Sequence, residues 1–426
     1  MLWGIIVGLG LLMFTCMKGA SIIVASPVLS ALVAATGRVD ILKVYTDSYM
    51  TGAANYFKSW FPTFLLGALF GKIMDDTGAA AAVAHWIVKT IGKERAILAV
   101  AAATAVLTYG GISLFVVVFT TYPLALALFR EANLPRRLIP GTIAFGAFTF
   151  TMTAIPGTPQ IQNIIPTKYF GTTPTAAPIV GLICAAFIAG GGLWWMYRRA
   201  SEARTKDEGY TPPEKESKAP TDPSQLPNAA LSILPLVSVV VLLNVFKMDI
   251  IVSLAAGVLL ALVLFFKRMA NPLASLNQGA TGSLLAIMNT SCAVGFGTVV
   301  RAVPGFADLV KVLSGVSLGN GLIYAFIAVN VLAGATGSAS GGMSIALEAL
   351  SKQLLATGAN PNLLHRITSI SSGGLDTLPH NGAVLTLLAV TGMTHKDSYI
   401  DVFMTSLLIP VLAGVLAIIL GSIGLV

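Results

Sequence analysis

Residues 371–386, SSGGLDTLPHNGAVLT, interrupt an apolar run that is long enough to cross a bilayer. The stretch contains three glycines, an aspartate, a proline, a histidine and an asparagine. Pro379 lacks a backbone donor and clashes with the preceding helical turn. Asp376 and His380 are each costly at the bilayer centre unless they face a polar cavity. The stretch therefore predicts a helix that is broken inside the membrane, an arrangement that lines binding sites in transporters.

The composition of the whole chain indicates a membrane protein. Its 426 residues are 55% hydrophobic and 10% charged, with a mean hydropathy of +0.83, whereas a soluble domain carries about 25% charged residues. The net charge of +8 does not indicate a nucleic-acid partner, because the basic residues lie between apolar segments and form no basic face. The cysteines, Cys16, Cys184 and Cys292, have no metal-ligand spacing. We therefore expect an all-α polytopic membrane protein without a metal or a cofactor.

A charged, proline-rich segment divides the chain into two parts of nearly equal length. Residues 198–228 hold 12 of the 44 Asp, Glu, Lys and Arg residues, which is typical of a solvated linker. The parts before and after it, 1–197 and 229–426, repeat the same order of features. Each contains a glycine–serine motif, GGIS (110–113) or GGMS (341–344), followed by a proline-interrupted apolar segment. The sequence therefore predicts two structural repeats.

Each repeat is expected to contain about five transmembrane helices and one re-entrant helical hairpin. The hairpins are predicted at 95–130 and 321–355, because each of these segments has a polar, glycine-rich middle and halves that are short for a full crossing. Broken helices are predicted at 138–171 and 363–391. Irregular backbone at that depth is tolerated only where it is buried in protein or faces water, so both breaks are placed near the midplane.

The charge distribution predicts the orientation. If the 198–228 linker is cytoplasmic, both termini lie outside and each half makes an odd number of crossings, so the two repeats are inverted. On this assignment 17 of the 26 Lys and Arg residues lie inside, in agreement with the positive-inside rule.

Four interruptions are expected to meet at the interface between the repeats: the two hairpin tips and the two breaks. Their glycines allow close approach of a ligand, and their hydroxyl and amide side chains offer hydrogen bonds to a hydroxylated substrate. The candidate substrate-binding residues are Gly110, Gly111, Ser113, Thr158, Gln160, Asn163, Ser338, Ser340, Gly341, Gly342, Ser344, His380 and Asn381.

The expected charge of the substrate follows from the absence of basic residues in these four stretches. None of the four contains an arginine or a lysine, so an anion is expected to be held by helix N-termini, amides and hydroxyls. This favours a small monocarboxylate over a dicarboxylate or a phosphate. Lys168 and Arg301 are near enough in the sequence to contribute instead.

Asp376 and His380 are the candidates for coupling to an ion. They are four residues apart, and either side chain can change its charge when desolvated, as a proton site requires. The alternative is structural, with Asp376 capping the second half-helix and His380 binding a carbonyl. A sodium ion would instead take carbonyl oxygens of the broken helices. The other histidines, His85, His365 and His395, are predicted to be interfacial, because they lie near segment ends.

Taken together, these motifs resemble the gluconate permease (GntP) family of the ion transporter superfamily. The resemblance is carried by GGIS, by TAIPGTPQIQN (153–163), by GSASGGMS (337–344) and above all by SSGGLDTLPHNGA (371–383), and it extends over nearly the whole chain. Within the family the chain is most similar to the 3-hydroxybutyrate permease branch, because DTLPHNGA departs from the pattern expected of gluconate carriers. The resemblance implies a homodimer in a bacterial cytoplasmic (inner) membrane, with a transport part that moves against a scaffold.

These observations favour a symporter that imports a small hydroxycarboxylate such as 3-hydroxybutyrate together with a proton. The alternatives are a sodium-coupled carboxylate or gluconate symporter and a cation/proton antiporter of the same fold. An enzyme is not expected, because the sequence contains no spacing typical of a nucleophile beside a base or of two histidines with a carboxylate. There is also no GxxxxGK[ST] motif for ATP.

Overall fold

The computed structural model describes residues 2–18, 20–92, 95–112, 114–212, 222–316, 320–379 and 381–426. Across these ranges the secondary structure is helical and contains no β-strand. The prediction of an all-α membrane protein is therefore confirmed. Four stretches are long and apolar enough to cross a bilayer, namely Pro178–Thr205, Ile250–Arg268, Pro272–Ala302 and His395–Ser422.

The α-helices before the linker are joined by short turns. In chain order they are α1 (Leu2–Met17), α2 (Ile22–Thr36), α3 (Ile41–Val44), α4 (Thr51–Asp76), α5 (Ala79–Ile91), α6 (Ala96–Tyr109), α7 (Leu114–Glu131), α8 (Ile139–Ala147), α9 (Phe150–Thr153), α10 (Ile161–Phe170) and α11 (Pro178–Thr205). A π-helix, Tyr45–Met50, leads directly into α4.

The α-helices after the linker follow a similar order of long and short elements. They are α12 (Ala229–Asn244), α13 (Ile250–Phe265), α14 (Pro272–Ala302), α15 (Gly305–Val316), α16 (Gly321–Thr336), α17 (Ala339–Ala356), α18 (Pro361–Ser372), α19 (Gly382–Thr391), α20 (His395–Phe403) and α21 (Ile409–Ser422). A 3-10 turn, Leu375–Thr377, separates α18 from α19.

Large apolar side chains cover the outside of several helices. On α13, Leu259 is 62% and Val263 79% exposed. Contiguous apolar surface of this kind is costly in water, but it suits contact with lipid tails. The exposed faces therefore agree with a chain that spans a bilayer.

Two helices are interrupted where proline and glycine remove helical geometry. Between α9 and α10 the chain contains Pro156, Gly157 and Pro159, and Gly157 has φ +84°, a left-handed conformation that glycine adopts without strain. Between α18 and α19 it contains Gly373, Gly374 and Pro379. We name these segments the first break (154–160) and the second break (373–381).

Two helical hairpins precede the breaks. Helix α6 turns into α7 around Gly111, which has φ +95°, and α16 turns into α17 around Gly337, which has φ +59°. We name residues 107–112 the first tip and 334–344 the second tip. In the second hairpin, a Cβ on Gly342 would lie 2.2 Å from the backbone N and Cα of Ala333. Only glycine therefore allows α16 and α17 to pack this closely.

The linker lies against one end of the helix bundle. Arg137, which precedes α8, forms an ion pair with Glu208, and the side-chain oxygen of Asn133 accepts a hydrogen bond from the backbone N–H of Tyr210. On the other side of the linker, Arg268 donates to the carbonyl of Gln225. Each end of the linker is therefore held by its own half of the chain.

Helix α14 runs from the linker end of the bundle to its opposite end. This helix has 31 residues and is therefore about 46 Å long. It begins next to the linker contact of Arg268 and ends beyond Arg301, whose guanidinium donates to Glu348 on α17. The open end of the first hairpin, where α7 ends, hence lies near the linker, and that of the second hairpin lies at the far end of α14.

Buried polar contacts also join the two halves of the chain. Asp401 of α20 is completely buried, and its Oδ1 accepts hydrogen bonds from Arg199 Nε (2.7 Å) and Trp195 Nε1 (3.0 Å) of α11. Gly141 of α8 packs so closely here that a Cβ would lie 2.6 Å from the Cβ of Asp401. An uncompensated buried carboxylate would be costly, so these contacts fix α20 against α8 and α11.

Candidate functional site

The first tip is held by side chains and backbone of the first break. Gln160 Nε2 donates to the carbonyls of Thr108 (2.6 Å) and Ile112 (3.2 Å). Tyr109 Oη donates to the carbonyl of Pro156 at 3.1 Å. The two bonds of Gln160 add a side-chain donor to carbonyls at the C-terminal end of α6 and in the turn that follows it. Gln160, a candidate substrate residue, thus holds the first tip against the first break.

The second tip is held by the second break in a comparable way. Asn381 Nδ2 donates to the carbonyl of Gly337 at 2.9 Å. Its Oδ1 accepts from the backbone N–H groups of Ala383 and Val384, which is the bonding of a helix N-cap. The cap of α19 is therefore Asn381, a role for which Asp376 was the sequence-based alternative. Asn330 of α16 adds a further contact by accepting from the N–H of Leu375.

Arg366 of α18 connects the two breaks. It is completely buried and is the largest fully buried side chain among the described residues. Its guanidinium donates to the carbonyls of Thr153, Pro174 and Ala176 at 2.8–3.2 Å. It also donates to Asn163 Oδ1 at 2.9 Å. All of these acceptors are neutral, and no ion pair of Arg366 occurs in the described part of the chain.

Asn163 and His365 complete this cluster. The Nδ2 of Asn163 donates to the carbonyls of Thr158 and Pro174, both at 2.9 Å. His365 Nε2 lies 3.2 Å from Asn163 Oδ1, and its Nδ1 lies 2.7 Å from Thr172 Oγ1. The side-chain amide of Asn163 thus makes its hydrogen bonds to groups of the protein itself. The prediction that His365 is interfacial is wrong, because the connection between α10 and α11 covers it completely.

Asp376 lies in the 3-10 turn of the second break. Its residue is 4% exposed, and its Oδ1 has no hydrogen-bond partner. Neighbouring backbone is well satisfied, because Tyr399 Oη donates to the carbonyl of Thr377, and Thr377 Oγ1 donates to the carbonyl of Ser406. No basic side chain within the described ranges forms an ion pair with Asp376. One buried carboxylate oxygen is therefore available to a proton or a cation.

The other candidates lie on the tips. Ser338 caps α17 by accepting from the N–H of Gly341, Thr158 and Ser340 are buried, and Gly110 packs against Leu236. Ser344 Oγ is completely buried. Ser113 and His380 lie outside the described residues.

The structure brings each tip together with its own break, and the first break together with α18. A Cβ on Gly373 would lie 2.8 Å from Thr153 Cγ2, and Ser369 Oγ donates to the carbonyl of Thr153 at 2.7 Å. The breaks are therefore neighbours. Among the described residues, no hydrogen bond joins one tip to the other.

A polar cavity of about 470 Å³ opens beside the second hairpin, at the end of α14 that is far from the linker. Its walls come from the π-helix, α4, α10, α14 and α17. The lining residues are Asp47, Ser48, Thr51, Gly52, Asn55, Tyr56, Ser59, Trp60, Lys168, Tyr169, Val294, Thr298, Arg301, Ala302 and Glu348. Of the candidate tip and break residues that the structure describes, Ser344 is linked to it, through its neighbour Tyr56.

Three basic residues thus belong to the site, although no tip or break contains one. Arg366 had a sequence signal, since an arginine inside a predicted apolar span is expected to serve a buried or functional purpose. Lys168 and Arg301 line the cavity, as the alternative based on their sequence position anticipated. The expectation that helix ends, amides and hydroxyls hold the anion stays a prediction, and so does the alternative that Lys168 and Arg301 contribute.

Comparison with known proteins agrees with this architecture. The profile of the GntP family of permeases matches residues 1–276. The "Uncharacterized transporter YxjC" of Bacillus subtilis (strain 168) is 42% identical, over 95% of this chain and 95% of that protein. An "Uncharacterized transporter" of Haemophilus influenzae is 34% identical over 22% of each chain.

Proposed function

Because the chain belongs to the GntP family of permeases and is therefore a membrane transporter rather than an enzyme, we propose that it is a secondary active symporter. Its substrate is a small hydroxycarboxylate such as 3-hydroxybutyrate, and the coupled cation is a proton. The observation that carries this proposal is the pair of buried, opposite charges at the breaks, Arg366 and Asp376, neither of which forms an ion pair within the described residues.

Arg366 supports an anionic substrate. Five hydrogen bonds to neutral oxygens satisfy its donors, but they leave its positive charge uncompensated. In a medium of low polarity such a charge acts over several ångströms. A bound carboxylate near the breaks would therefore be stabilised by the field of Arg366, together with the N-terminal N–H groups of α10, which no side chain caps.

Asp376 supports coupling to a cation. A carboxylate buried without a positive partner gains free energy by binding a proton or a metal cation. Only one of its side-chain oxygens is without a partner, and a sodium ion requires several oxygen ligands. One free oxygen suffices for a proton, so proton symport is our first choice. Sodium coupling through carbonyls of the breaks is the alternative.

We further propose that the protein works as a homodimer of inverted repeats in a bacterial inner membrane, with the linker in the cytoplasm. The positions of the hairpins support the inversion. The first hairpin has its open end beside the linker contact of Asn133, and the second has Glu348 at the far end of α14. On this orientation the 470 Å³ cavity faces outward and is the entrance for the substrate.

The test is uptake of labelled 3-hydroxybutyrate into proteoliposomes, with pH and sodium gradients imposed separately. We expect uptake when the outside is acidic, and at least a tenfold loss of gradient-driven uptake in Asp376→Asn, because the amide cannot carry a proton. Asp249→Asn is the matched control, since Asp249 is an exposed N-cap and Asn caps equally well.

The outcomes separate the candidate functions. Uptake that needs only a sodium gradient would replace the proton with sodium. Proton flux driven by a cation gradient without any organic acid would indicate an antiporter. Absence of 3-hydroxybutyrate uptake under both gradients, with the protein shown to be folded, would contradict the proposed substrate.

A further inference from the structure

The cavity contains a lysine without an acidic partner. Lys168, near the end of α10, donates through Nζ to the neutral hydroxyl of Ser59 at 2.9 Å. Its ammonium also lies 5.9 Å from the centre of the Trp60 ring. No ion pair of Lys168 occurs within the described residues. An ammonium has three donors, so two of them are available to a ligand.

The other charges of the cavity wall are arranged differently. Arg301 Nη1 donates to the carbonyl of Glu348 at 2.9 Å and to its Oε1 at 3.3 Å, and Tyr169 Oη donates to Glu348 Oε2 at 3.2 Å. Arg301 is therefore neutralised by Glu348. Asp47 accepts from Thr46 on the exposed side of the π-helix. Among the described residues, Asp47 and Lys168 are thus the lining charges without an ion pair, and Lys168 is the cation of the two.

Two buried hydroxyls lie on the same wall. Tyr56 is 4% exposed and lines the cavity, and Ser344 is completely buried behind it. The two hydroxyls are neighbours, and neither has a hydrogen-bond partner beyond the other. A buried hydroxyl without a partner has lost its bonds to water and gained none in return, which is unfavourable. Such a group is typical of a site that is completed by a ligand.

We propose that this cavity is an outer binding site for the substrate, in which Lys168 holds the carboxylate and Tyr56, with Ser344 behind it, recognises the hydroxyl group. The proposal rests on the proposed function and deepens it by naming the residues that select a hydroxylated monoanion. The size agrees, since 470 Å³ falls within the range of small-molecule sites, about 300–1,000 Å³. Because Ser344 belongs to the second hairpin, binding of the substrate in the cavity changes the contacts of the second tip.

The charge of the site is tested without any substrate. Asn55→Cys introduces a thiol on the cavity wall, one helical turn before the Ser59 that binds Lys168. Its rates of modification by an anionic and a cationic methanethiosulfonate reagent are compared in liposomes, with the chain lacking Asn55→Cys as the background. We expect the anionic-to-cationic rate ratio to fall about tenfold when Lys168→Gln is added, because one positive charge is removed at short range.

Lys43→Gln is the matched control, because Lys43 is an exposed lysine that does not line the cavity. In that variant the ratio is expected to stay within about twofold of the parent, since the interaction between distant exposed charges is screened. An unchanged ratio in Lys168→Gln, with the protein folded, would overturn the proposal.

Recognition of the substrate is tested by protection of the same cysteine. 3-Hydroxybutyrate should slow modification of Asn55→Cys more strongly than butyrate does, and Tyr56→Phe should reduce that difference by up to about tenfold, the value of one hydrogen bond. Uptake of 3-hydroxybutyrate without any slowing of the modification of Asn55→Cys would contradict the proposed outer binding site. A Lys168-dependent reagent ratio together with absent 3-hydroxybutyrate uptake would support the anion site and contradict only the proposed substrate.

Discussion

The guanidinium of Arg366 donates a hydrogen bond to the side-chain oxygen of Asn163 across 2.9 Å, and thereby joins α18 to α10. The same guanidinium binds three backbone carbonyls on either side of the first break. It therefore supports a segment that proline and glycine exclude from helix. An arginine suits this role because its planar guanidinium can donate hydrogen bonds to several carbonyls at once.

Replacement of Arg366 should destabilise the fold. Arg366→Leu removes five hydrogen bonds from a charged donor to four buried acceptors, and we expect a loss of about 3 kcal/mol or more. Arg366→Lys should be intermediate, since an ammonium cannot reach all of these oxygens. The measurement is thermal unfolding in detergent. Arg198→Ala is the control, because the side chain of Arg198 is exposed and its loss should matter by less than about 0.5 kcal/mol. Equal unfolding temperatures for Arg366→Leu and the control would contradict this interpretation.

Gln160→Glu should release the first tip. A carboxylate has nearly the size of the amide but only accepts hydrogen bonds, so the carbonyls of Thr108 and Ile112 lose their donor and face a negative charge. We expect hydrogen exchange of the amides near Thr108 to accelerate about tenfold, as the loss of roughly 1.4 kcal/mol implies. Gln353→Glu, on the exposed side of α17, should leave that exchange unchanged. Equal exchange in both variants would show that Gln160 does not hold the tip.

Gly342→Ala should separate the helices of the second hairpin. The added Cβ would lie 2.2 Å from backbone atoms of Ala333, which cannot move aside as a flexible side chain can. A penalty of about 1–3 kcal/mol or more is expected from overpacking. Gly382→Ala provides the contrast, because nothing lies within 4 Å of its added Cβ and alanine favours helix. Thermal unfolding of the two variants should differ clearly, and a stable Gly342→Ala protein would exclude the observed close packing.

The linker contact should depend on pH. The hydrogen bond from Arg137 holds the pKa of the Glu208 carboxyl below its ordinary value. Its contribution to stability is therefore fully present above the unfolded pKa of about 4.3 and is lost as the pH falls through the lower folded pKa. Because Glu208 is 42% exposed, the contribution is less than about 1 kcal/mol. Glu208→Gln should lower stability slightly at pH 7, and its difference from the parent should shrink in unfolding titrations as the pH falls below the unfolded pKa. A difference that does not shrink would have another cause.

The fold class was predictable because it follows from local properties. Apolar composition indicates a membrane, and glycines 373 and 374 with Pro379 exclude a continuous helix. The partners of Arg366 were not predictable, because Asn163 precedes it by 203 residues and no local pattern encodes that contact. His365 was misplaced for the same reason, since the loop that covers it belongs to the other half of the chain.

Several of the buried bonds described above, including those of Asp401 with Trp195 and Arg199, join residues before position 212 to residues after position 222. The linker itself is fastened at each end to its own half, by Arg137 at one end and Arg268 at the other. The covalent connection is thus not what holds the halves together. Two separate polypeptides, cut between residues 212 and 222, would retain every one of these contacts, so a gene divided at this point should yield fragments that complement each other in the bilayer.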